Sequence, residues 1–188
     1  MYLTKFVKLS AVTAIVFASA AAYAAPVMPS FNGAPAGWTV DRYAPAGFTN
    51  VGTYMGRSDV LGISIDDSTS SANRPAGQQS TFYNTQGMAH ATPGSGAGSV
   101  LAADLYIPTS WGDAANGNVR TDMWSVMVDG VGARTDDYGI IGFTNFGGAP
   151  RLRVFDSSYG TDGWFNIGSA INFDAWTSLA VEFTGTAL

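Results

Sequence analysis

Cysteine is absent from all 188 residues, so no disulfide staples this fold and buried apolar surface must stabilise it. Lysine occurs only at Lys5 and Lys8, and glutamate only at Glu182. Long helices therefore lack many of their usual surface residues. A single histidine, His90, with no cysteine beside it, excludes an ordinary zinc site, and no G-x-S-x-G elbow accompanies it for a hydrolase triad. It is expected on a surface loop. No Asn-x-Ser/Thr acceptor for N-glycosylation is present.

What is present begins with an export signal. Lys5 and Lys8 precede an uncharged, mostly apolar run from Leu9 to Ala22, and Ala22-Tyr23-Ala24 supplies an A-x-A cleavage site. The run is shorter than the roughly 20 residues a bilayer core requires, and no later run is long enough. Residues 1–24 are thus expected to be a helical secretory signal and residues 25–188 one mature domain, secreted, with no membrane span. Both lysines leave with the signal, so seven arginines against 14 acids give the mature chain a net charge of −7. That balance argues against nucleic acid as a partner.

Gly at 23 of 188 residues, with abundant Asn, Ser, Thr and Asp, indicates many turns. Between them lie short β-branched or aromatic runs, at Trp38–Arg42, Asp59–Ile65, Ser80–Tyr83, Ser99–Ile107, Met123–Asp129, Tyr138–Thr144, Arg151–Phe155 and Trp176–Phe183. Leu101, Ala103, Leu105 and Ile107 alternate on one face, as do Leu179, Val181 and Phe183. Arg151 and Arg153 alternate with Leu152 and Val154, which sends both arginines to solvent or a groove. Asn116-Gly117, Asp129-Gly130 and Gly147-Gly148 signal tight turns and an antiparallel meander. The expected class is all-β, an antiparallel β-sandwich of the jelly-roll kind. The strand ending at Phe183 is expected to lack its natural partner, as in a domain incomplete at its C-terminus.

Catalytic constellations are weak. Glu182 alternates outward, and Asp122 and Asp129 flank one strand as turn residues. Without a paired-carboxylate signature for glycoside hydrolysis, the expectation is a protein that is not an enzyme. Asp66-Asp67 and Asp136-Asp137 offer paired hard oxygen ligands in expected loops, and Asp136 and Asp137 are the better candidates for calcium. Aromatic rings favour a binding role, because sugars stack their apolar C–H faces on them while Asn and Asp take the hydroxyls. Trp124 and Trp176 fall within strands and are expected in the core. Trp111 and Trp164 fall among Gly, Asp and Asn in expected loops. Trp111, Tyr138, Asn145 and Trp164 are the candidate ligand contacts.

The succession Leu101–Pro108, Met123–Val126, Tyr138–Phe143, Leu152–Asp156 and Trp176–Phe183 resembles the concanavalin A-like, laminin G-like jelly roll of bacterial secreted proteins. The resemblance covers about Ser99 to Phe183. It implies a module that binds glycans or proteins, often through calcium-dependent loops. Some members are glycosidases, but their signature is missing here. The expected function is a secreted, noncatalytic module for carbohydrate or another surface polymer. The alternatives are a structural component of the extracellular matrix or envelope without a small ligand, and a polysaccharide hydrolase or lyase.

Overall fold

The computed structural model describes residues 31–65, 73–80, 86–92, 96–128, 134–157, 163–168 and 170–184. The export segment, Asp66-Asp67, Asp129 and the expected strand beyond Ser80 lie outside them. The described residues form ten strands and no α-helix, and every strand pairing is antiparallel. The protein is all-β. It divides into two compact units, with the boundary between Gly94 and Ser95.

In the first unit β1 (Thr39–Asp41) pairs with β4 (Gly87–Ala89), and β2 (Gly47–Asn50) pairs with β3 (Leu61–Ser64). Neither β2 nor β4 is expected from sequence, since each is short and starts at a glycine. Asn50 stabilises the turn after β2, accepting from Gly52 N and donating to Asp59 Oδ1, both at 2.6 Å. Trp38 packs at 5.1 Å against both Phe48 and His90. The histidine expected on a surface loop is therefore half-buried, and its Nδ1 has no hydrogen-bond partner.

The second unit has two sheets. β5 (Ser99–Ile107) pairs with β10 (Ala175–Phe183) over their full length, from Ser99 opposite Phe183 to Ile107 opposite Ala175. The terminal strand thus pairs with β5 on one edge, and among the described residues no strand lies on its other edge. A four-stranded sheet follows the order β6 (Arg120–Val128), β7 (Arg134–Thr144), β8 (Arg151–Asp156), β9 (Gly163–Ile167). This is the expected meander, with Gly147 at a φ of 67° in its β7–β8 turn. Asn116-Gly117 closes no hairpin, because β5 pairs with β10 and two 3-10 turns, Thr109–Gly112 and Ala114–Asn116, lead on to β6.

The two sheets share a core of Ile107, Ile141, Phe143, Leu152 and Leu179. Alternation puts Ile141 and Phe143 of β7 and Leu152 of β8 on the same side of the larger sheet. Leu179 and Ile107 answer from the smaller one, with Leu105 and Val181 packed beside them. The paired faces foreseen for β5 and β10 are the ones that meet this core. The tryptophans are distributed otherwise than expected. Trp111, expected in a loop, stacks on Phe143 at 5.6 Å and joins the core. Trp124 and Trp176 occupy the opposite, half-buried faces of their strands, Trp176 edge-on to Tyr106 at 5.5 Å.

Candidate functional site

The side of the four-stranded sheet away from the core carries three ordered rows of side chains. Register fixes them. Trp124, Ile140, Phe155 and Trp164 are cross-strand neighbours in the first row. Asp122, Gly142, Arg153 and Asn166 form the second, and Arg120, Thr144 and Arg151 the third. Successive residues on one face are two apart, so the rows lie about 7 Å from one another at roughly 3.3 Å per residue.

The aromatic row is closed by Tyr138, one step further along β7. Its ring lies nearly parallel to Trp124 (6.1 Å, 8°) and to Phe155 (5.4 Å, 12°), and Phe155 meets Trp164 at 5.6 Å and 59°. Four rings on four strands thus form one continuous array. Each such pair contributes about 0.5–1.5 kcal/mol beyond its area burial. Ser157 fixes the tyrosine's backbone, its Oγ accepting from Tyr138 N at 2.8 Å. Trp164 remains 42% exposed at the end of the array.

Arg153 connects the aromatic row to the polar one. Its guanidinium carbon sits 3.6 Å from the centroid of the Trp164 ring, a cation–π geometry worth about 0.5–2 kcal/mol. Arg153 Nη2 also donates to both oxygens of Asp122, at 2.9 and 3.2 Å. The side chains are 10% and 2% exposed, so this is a buried ion pair. It crosses β7 above Gly142, the one position in that row with no side chain in the way. Arg120 Nε stands 3.6 Å from the same carboxylate. Burial pushes the Asp122 carboxyl up from its ordinary value, against the opposing pull of Arg153 and Arg120. Arg153 is buried and its Nε has no acceptor, so of the two expected settings, solvent or a groove, solvent is excluded.

Of the residues singled out by sequence, the structure brings Tyr138 and Trp164 together through Phe155. Trp164 reaches this array from a strand, β9, where a loop was expected. Trp111 and Asn145 lie elsewhere. Asn145 is fully buried, accepting from Val119 N at 2.6 Å and donating to Trp111 O at 3.2 Å and Gly117 O at 3.1 Å. Its amide holds the 3-10 turns against the end of β7, which leaves it no surface to offer a ligand. Asp136 and Asp137 belong to β7 and not to a loop, and their side chains lie outside the described set. Among the described residues no group of three His, Cys, Asp or Glu side chains is placed to hold a metal.

Sequence reasoning missed Arg153, Phe155 and Gly142 as parts of one surface. The alternation of Arg151, Arg153 and Phe155 was the available signal, since it puts all three on one face. No protein family, curated protein or solved structure matches the chain.

Proposed function

We propose that the chain is a secreted, noncatalytic β-sandwich of the jelly-roll kind that binds a carbohydrate or related surface polymer on the aromatic face of its four-stranded sheet. The observation behind this reading is the Trp124–Tyr138–Phe155–Trp164 array, ending in a ring that is 42% exposed and braced by Arg153. A large aromatic ring held rigid at a surface loses little freedom when a sugar's C–H face settles on it. Asn166 and Arg151 beside it are hydrogen-bonding groups suited to hydroxyls. The export signal, with its A-x-A site, supports an extracytoplasmic setting for such a ligand.

The test is binding of the purified mature chain to a panel of immobilised glycans, followed by titration of any positive while tryptophan fluorescence is recorded. Trp164→Ala is expected to weaken binding at least tenfold, with a fall of a few degrees in melting temperature from the lost Phe155 and Arg153 contacts and a melt that stays cooperative. Unchanged affinity in that variant sinks this choice of face. Silence of the unmodified chain across the whole panel moves the assignment to a structural envelope component.

A further inference from the structure

The third row of the same face is cationic, and it rests within a chain whose mature charge is strongly negative. Among the described side chains, three arginines, Arg120, Arg151 and Arg153, stand on this face against the one carboxylate of Asp122. Arg153 and Arg120 both lean on that carboxylate. Arg151 does not. Its Nε donates to Asn166 Oδ1 at 3.1 Å, Nη1 to Ala149 O at 3.0 Å and Nη2 to Phe146 O at 3.0 Å. All three acceptors are uncharged. A guanidinium has five N–H groups, so two remain, on a head whose direction is already fixed and which pairs with no acid among the described residues.

The dominant acidity of the chain does not cancel this patch. Charges further away than about 10 Å are screened at ordinary ionic strength, whereas a group in contact with Arg151 meets its full local field. Geometry adds a length. From the Trp164 row to the Arg151 row is four residues along the strand, about 13 Å at roughly 3.3 Å per residue. No single sugar ring spans it.

Resting on the carbohydrate reading above, we infer that the polymer is a polyanionic glycan, with one ring stacked on Trp164 and the carboxylate or sulfate of a neighbouring unit held by Arg151. The planar guanidinium matches such oxyanions bidentately, and the exposed amide of Asn166, in the row between, offers hydrogen bonds to the hydroxyls of the intervening chain.

The discriminating experiment titrates the whole mature chain with polygalacturonate and with the same polymer after reduction of its carboxyls to alcohols. Dextran sulfate and dextran form a second pair, which separates sulfate from carboxylate as the anion. The expected result is at least tenfold tighter binding to the charged member of one pair or both, weakening as salt is raised. Arg151→Gln should then reduce the charged polymer to the affinity of its neutral partner, and Arg151→Lys should restore part of the difference. A trimer should bind far better than the monosaccharide. Equal binding to charged and neutral members overturns this inference and leaves the carbohydrate reading standing. A charge preference untouched in Arg151→Gln, with the variant melting like the parent, also overturns it. Absence of binding to all four polymers overturns this inference, and the carbohydrate reading falls with it only if the whole glycan panel is silent too.

Discussion

At the scale of single residues, Gly142 shows how little room the polar row leaves. A Cβ there would collide with Thr121 O and with Asp122 Oδ1. Backbone cannot yield as a flexible side chain does, so Gly142→Ala should cost about 3 kcal/mol, at the upper end of ordinary overpacking. Urea denaturation of the purified variant measures it, and a loss below 1 kcal/mol contradicts the described crossing. Asn145 teaches the opposite lesson about reading residues from composition. An asparagine near a turn is a plausible sugar ligand by type, yet its three partners lie 26 to 34 residues away in sequence. Nothing local to it reveals that it is fully enclosed. Tyr138 was readable as a ring within a strand, whereas Trp164 stood out only as a ring among Gly, Asp and Asn, its strand unforeseen. Arg153 was legible only as one half of an alternation.

At the scale of elements, the long alternating strands were readable and the short ones were not. β5 coincides with its expected bounds, and the alternation of Leu101, Leu105 and Ile107, which are half-buried or buried while Ala103 between them stays exposed, is what made it readable. β9, Gly163–Ile167, escaped notice because it is five residues long and begins at a glycine. Its strand character comes from pairing with β8, a tertiary effect. Asp174 ties β5 to β10 at one end of the smaller sheet, accepting from Thr109 N at 2.9 Å and Thr109 Oγ1 at 2.6 Å. The Thr109 bonds hold its carboxyl below the usual range.

The Asp122–Arg153 pair ties β6 to β8 across the strand between them. Arg153→Met should destabilise by about 3–5 kcal/mol, since it strands a carboxylate that is 2% exposed. The double variant Asp122→Asn/Arg153→Met should recover most of that loss. Burial raises the folded-state pKa of Asp122 above its unfolded value, so across that interval the folded chain holds more protons. Its contribution to stability is therefore fully present at the acidic end and declines as pH rises through the folded value. That decline should disappear in the double variant, as followed by thermal melts in a pH series.

At the scale of the whole molecule, the all-β class followed from absences, with almost no Lys or Glu for helix surfaces and abundant Gly, Asn and Asp for turns. The division at Gly94 was not readable, because the Gly/Ser segment there looks like any connection between strands. Every residue of the core cluster and of the side chains packed on it lies between Leu105 and Val181. Expressed alone, residues 95–188 should accordingly give a β-type circular dichroism spectrum and one cooperative melt. A broad, non-cooperative trace would contradict that. The ion pair bridging over Gly142 has a further consequence for how such a chain can diverge. Positions 122 and 153 can be exchanged together, acid and base for a neutral pair, whereas position 142 is held to glycine with or without them, because Thr121 O stands where any Cβ would go. Glycine there should therefore outlast both charges in diverging sequences.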